Sequence, residues 1–72
     1  MSDSVYKIIE LVGTSDTSWE EAAANAVEAA SASLDDVRVA EVGKLDMRVE
    51  KGKVVAYRAR VSVSFKLRDR AD

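Results

Sequence analysis

Cysteine, histidine and proline are absent from the sequence, and each absence closes a class of chemistry. Without cysteine there is no disulfide and no thiolate metal site to reinforce the fold. Without histidine the usual general base near neutral pH and the commonest transition-metal ligand are both missing. This counts against hydrolase chemistry and a zinc centre and leaves hard-cation binding by oxygen open. Aromatic residues are scarce: one tryptophan, two tyrosines and one phenylalanine. No apolar run approaches the length of a membrane span, and the opening MSDSVYK has neither the basic head nor the apolar segment of a signal peptide. A soluble, cytoplasmic protein with no membrane partner is the expectation. Charge of one sign is missing as well. Eleven basic and thirteen acidic residues give a net charge of −2 and are spread along the chain, so no footprint for nucleic acid forms. Length is the last shortage: 72 residues make one domain, and a chain this short buries only about 60% of the surface its unfolded form exposes. With neither disulfide nor thiolate clip available, self-association is the remaining reinforcement.

What is present divides into four elements. VYKIIELVG, Val5 to Gly13, is rich in β-branched residues and stops at a Gly-Thr-Ser cluster, as a strand entering a turn does. The period then changes. Ser18 is a candidate N-cap with Glu21 three residues on, a capping box in which each side chain satisfies a backbone amide. Trp19, Ala23, Ala26, Ala30 and Leu34 fall at helical spacing on one narrow face, joined partly by Ala22 and Val27. Alanine lets a helix lie close to a sheet but buries little area.

Two extended segments follow, Val37 to Glu50 and Val54 to Arg68. In the last, Val55, Tyr57, Ala59, Val61, Val63, Phe65 and Leu67 alternate with polar residues. A three-residue loop, Lys51 to Lys53 with Gly52 left-handed, places Val49 opposite Val55 and Met47 opposite Tyr57, apolar against apolar. In the middle strand Val37 and Val39 share one parity, Val42 takes the other, and Leu45, Met47 and Val49 return to the first, so Gly43 marks a bulge. The predicted architecture is α+β, in the order β-α-β-β. A three-stranded antiparallel sheet wraps around one helix, with a single domain over 1–72, a core over 5–69 and a frayed tail after Arg68.

VYKIIELVGTSDTSWEEAAANAV, the two long strands and the closing VSFKLRD together resemble the dodecins, small proteins whose sheet wraps one helix and whose twelve copies form a hollow shell. The resemblance spans roughly Val5 to Asp69. It implies a homododecamer that binds or sequesters a small ligand, with the chain itself as its partner. Most dodecins stack a flavin on a tryptophan in a Leu-Asp-Trp-Phe-Glu-Val stretch and hold its polar edge with the glutamine of Tyr-Gln-Val. Aligned here, those cofactor-binding positions are Val39 and Arg58, both substituted, with Ala40 where the next aromatic would stand. DDVRVAEV, LDMRVE and YRARVSVSF resemble instead the subgroup described as calcium dodecins. That likeness implies the same shell, no tight flavin and a calcium site nearby. The alternatives are a flavin store (riboflavin, FMN or FAD) of weak affinity, or a purely structural shell.

Calcium takes six to eight oxygen ligands, and Asp46 and Glu41 are the nearest carboxylates, with carbonyls at Gly43 as additions. One chain offers too few, so copies meeting at a symmetry axis would complete the set. Asp46 has a second reading, because the preferred register sets it opposite Arg58, where a cross-strand ion pair forms. Arg58 in turn suits an anion such as phosphate. Trp19 belongs to the core stripe or a subunit contact rather than to a ligand platform. Asp35 and Asp36 make a solvated turn. Ser15, Thr17 and Ser18 are turn and cap residues with no base beside them, so no enzyme is expected.

Overall fold

The computed structural model describes residues 5–67. The expected end of the core at Asp69 and the fraying after Arg68 lie outside the described residues. Four elements follow in order: β1 (Tyr6–Ser15), α1 (Trp19–Ser33), β2 (Val37–Glu50) and β3 (Lys53–Lys66). The sheet order is β1-β3-β2, with both outer strands antiparallel to β3. β1 and β2 therefore run parallel on opposite edges, and α1 is the crossover between them. This is the expected β-α-β-β wrap.

Gly13 decides how closely the helix approaches. The first strand does not stop there but continues to Ser15, because Gly13 is buried beneath the helix rather than turning away from it. A Cβ at this position would lie 2.0 Å from the Ala22 carbonyl oxygen and 2.9 Å from the Ala26 Cβ. The alanine face seats on that point. Ala22, Ala26 and Ala30 are its buried centre, with Ala23, Val27 and Leu34 packed at its margins, so the stripe is rotated toward Ala22 relative to the spacing read from Trp19. Ala59, Val61 and Val63 of β3 complete the core, and its largest fully buried side chains are valines. At about 25 cal/mol per Å² of apolar surface, small side chains yield little burial energy each.

The helix start follows the capping prediction in one half only. Ser18, with extended backbone, accepts a hydrogen bond from the Glu21 amide at 3.0 Å. The reciprocal bond from Glu21 is not made. Its carboxylate accepts instead from the Ser15 hydroxyl at 2.6 Å and from the Thr17 hydroxyl, while the Ser18 amide donates to Ser15 Oγ at 3.3 Å. The buried Ser15 hydroxyl takes over the role of amide partner, which frees Glu21 to hold both hydroxyls.

Three irregularities set the faces of the sheet. Gly43 is a bulge, as expected: the register passes from Val42↔Val61 to Lys44↔Arg60. It returns Val42 to the helix-facing side with Leu45 and Met47. A second bulge at Arg38 was not expected. It moves Val39 (opposite Ser64) to the face away from the helix while Val37 (opposite Phe65) stays toward it, so the two valines do not share a face. The hairpin also differs. Lys51 and Gly52 both have positive φ, 52° and 76°, and form a two-residue turn with Val49 opposite Val54, the primed geometry that matches strand twist. An extra residue at Val55 then shifts the ladder, so Met47 still faces Tyr57 and Asp46 still faces Arg58.

The single chain is far from a sphere. Its radius of gyration is 15.1 Å with extents of 56 × 19 × 14 Å, against about 11 Å for a compact chain of this length. Its accessible surface is 5521 Å², where a compact 7.8 kDa monomer exposes about 4,400 Å².

Candidate functional site

Pleating assigns alternate residues to opposite faces, and the register places all four sequence-derived candidates on one of them. Val39 (opposite Ser64), Glu41 (opposite Ser62), Asp46 and Arg58 all lie on the sheet face away from the helix. A common face does not bring them all together. Four residues of β3 separate the Glu41 row from the Asp46 row, about 13 Å at 3.3 Å per residue. Six separate the Val39 row from Arg58, about 20 Å. Asp46 and Arg58 alone meet.

Their contact is bidentate. Arg58 Nε donates to Asp46 Oδ1 at 2.7 Å and Nη2 donates to Oδ2 at 3.0 Å. The planar fork of arginine matches the carboxylate. The hydrogen bonds from Arg58 hold the Asp46 carboxyl below its ordinary pKa, and the same contact raises that of Arg58. The cross-strand pair expected from the sequence is therefore formed. Among the described residues Glu41 has no ion-pair partner, and Asp36 is engaged by Arg38 at 2.7 Å in the turn before β2.

Beneath Asp46, on the helix side, lies a contact that the sequence did not disclose. The Trp19 indole N–H donates to the Asp46 carbonyl oxygen at 3.0 Å, and its ring meets Tyr57 edge-on with centroids 5.1 Å apart. Trp19 was expected to pack, and it does. That it also grips the backbone of Asp46 depends on the sheet curling over the helix N-terminus, which no local pattern encodes. Asp46 is thus held twice, by its backbone from one face and by its carboxylate from the other. Beside Trp19 a shallow groove of about 250 Å³ is lined by Glu20, Ala23, Val42 and Leu45. It opens because α1 leaves the helix-facing side chains of β2 uncovered.

A hard cation takes oxygen ligands, and carboxylates with strand carbonyls are the right donor chemistry. The count is short. Among the described residues no three acidic side chains cluster closely enough to hold a metal ion, and the two candidates are about 13 Å apart. One chain supplies at most part of a calcium shell.

A small sheet half-wrapped on one alanine-faced helix, with its opposite face and one strand left open, defines a narrow class of protein. The chain belongs to the dodecin family, whose model matches residues 5–68. It is 54% identical to the calcium dodecin of Mycobacterium tuberculosis over 65 residues, 90% of this chain and 92% of that one. The crystal structure of that calcium-chelating antigen, with a novel calcium-binding site, superimposes with a TM-score of 0.80 over 93% of this chain and 96% of its own. Dodecin from Streptomyces coelicolor, 32% identical, superimposes with a TM-score of 0.89 over 96% of this chain and 99% of its own. No helix among the described residues is long and apolar enough to cross a membrane.

Proposed function

We propose that this chain assembles into a homododecameric shell that binds a small ligand, calcium first, and has lost the flavin-stacking site of its family. The observation that carries this reading is the near full-length kinship to a calcium dodecin. The absence of any aromatic at Val39 or Ala40 supports the second part. An aromatic platform contributes about 1–3 kcal/mol of stacking per base by analogy with nucleic acids, and valine provides none. The exposed surface and elongated shape support assembly. The excess of about 1,100 Å² over a compact monomer is on the order of the ~800 Å² that one partner gives to a standard interface.

Asp46 and Glu41 are the proposed carboxylate ligands. Since they are about 13 Å apart on one chain, each would act with oxygens from neighbouring copies rather than with the other. Kinship to the dodecins supports binding rather than catalysis as the proposed role. Titration calorimetry of the assembled protein with calcium tests the reading. Heat that saturates and is lost in Asp46→Asn or Glu41→Gln is the expected result, and no heat at millimolar calcium would sink it. Riboflavin titration followed by flavin fluorescence tests the other half. Unquenched emission is expected, and stoichiometric quenching would show the flavin site intact and favour a flavin store.

A further inference from the structure

Arg58 suits an anion by its chemistry, but Asp46 already holds its guanidinium, at 2.7 and 3.0 Å. The next row of the outer face is different. Lys44 of β2 and Arg60 of β3 are register partners, so their side chains leave the same sheet face side by side, with Cβ atoms about 5 Å apart. Gly43 arranges this. Strict alternation from Val42 would send Lys44 toward the helix, and the bulge turns it outward beside Arg60. Like charges placed directly opposite destabilise a sheet. Both residues are exposed, and neither forms an ion pair with a described residue. The flanking carboxylates do not neutralise the row. Asp46 is filled by Arg58, while Glu10 and Glu41, both opposite Ser62, stand about 7 Å further along β3.

Charge over the whole molecule is sorted in the same sense. Residues 44–60, the arm made by the β2–β3 hairpin, carry six basic and two acidic side chains, while the rest of the chain carries five basic and eleven acidic. A net-acidic protein thus has one basic arm. Both acidic side chains of that arm are engaged by arginines, Asp46 by Arg58 and Glu50 by Arg48. An anion drawn in by the field of the arm meets two unpaired cations together only at the Lys44–Arg60 row. We propose that Lys44 and Arg60 form a binding site for a phosphate group, either the free ion or the terminal group of a small phosphorylated ligand. A dianion relieves the repulsion within the pair, and its oxygens accept from an ammonium as a point charge and from a guanidinium as a planar fork. The site uses neither of the carboxylates proposed for calcium, so the two readings stand or fall separately.

The test is titration of the assembled protein with inorganic phosphate and with glycerol phosphate, at constant ionic strength and with no divalent cation present, followed by calorimetry and phosphorus NMR line width. Saturable binding is expected, roughly three- to tenfold weaker in Lys44→Gln and in Arg60→Gln. Arg60→Lys, which keeps the charge, should fall between Arg60→Gln and the unsubstituted chain. Lys51→Gln removes the same charge at the hairpin turn and should bind as the unsubstituted chain does. Stability gives a second readout. Without phosphate, Lys44→Gln should unfold at a slightly higher temperature, because the repulsion is gone, and saturating phosphate should raise the midpoint of the unsubstituted chain more than that of the variant. Binding of both compounds would support the site and make its ligand a phosphorylated molecule; binding of inorganic phosphate alone would support it with the free ion as ligand. Equal weakening in Lys51→Gln would overturn the site in favour of the diffuse field of the arm. Binding of neither compound, or undiminished binding in the double variant Lys44→Gln and Arg60→Gln, would overturn it outright.

Discussion

Gly13 is the residue where space is tightest. Its missing side chain lets the Ala22 carbonyl and the Ala26 methyl into contact with β1, and the obstructing atoms belong to backbone and to a short side chain that cannot rotate away. Gly13→Ala is expected to destabilise at or above the upper end of the roughly 1–3 kcal/mol typical of overpacking, seen as a lowered urea midpoint with unchanged slope. Full stability in that variant would mean the helix is free to lift. Glu21 gives a pH test. Hydrogen bonds from the Ser15 and Thr17 hydroxyls hold its carboxyl below the ordinary value of 4.5. A depressed carboxyl pKa favours the folded state above the unfolded value, and that contribution is lost as pH falls from about 4.5 through the folded value. Glu21→Gln should therefore flatten the acid limb of the stability profile below pH 5, and a limb of unchanged slope would show that the hydroxyls do not discriminate between its charge states. At this scale the sequence disclosed Asp46 opposite Arg58 because apolar parity in β3 fixes register. It hid the face of Val39, because the bulge at Arg38 carries no glycine to mark it and is held instead by Asp36, a residue with φ of 65° whose carboxylate grips Arg38.

Among the elements, the helix and the long strands were legible and their joints were not. A change of period from 2 to 3.6 is a strong local signal, and Val37–Glu50 came out with the expected bounds. The hairpin misled because two errors cancel. A two-residue turn sets the wrong parity, and the extra residue at Val55 restores it, so a single longer loop explains the same pairing from Met47 onward. The real turn puts Lys51 at φ 52°, where a non-glycine residue other than asparagine or aspartate costs about 1–2 kcal/mol in the left-handed region. Lys51→Asn, giving Asn-Gly, should stabilise by about 0.5–1 kcal/mol. Thermal denaturation of the two chains compares them directly, and a lower midpoint for the variant would argue for the three-residue loop after all. Ser18→Ala should cost about 1 kcal/mol by removing the one cap bond to the Glu21 amide.

For the whole molecule, the controlling fact is that the helix is too narrow for its sheet. It covers β1 and β3, and it leaves Val42, Leu45 and Met47 of β2 facing the same way with 47%, 51% and 45% of their surface exposed. A core whose largest fully buried side chains are valines gains little from within, and apolar strand surface left open marks a face suited to contact with another surface. If neighbouring copies cover that stripe, charging it should dissociate the particle and scarcely affect what remains inside each subunit. The double substitution Val42→Glu and Leu45→Glu is thus expected to lower the mass seen by light scattering from an assembled shell to small species. Its unfolding midpoint should fall and become concentration-dependent, because assembly stabilises by mass action. Glu28→Lys, on the exposed side of α1, is the control and should leave the mass unchanged. A doubly substituted chain that still forms a particle of full mass would place the subunit contacts elsewhere and leave the stripe as open surface.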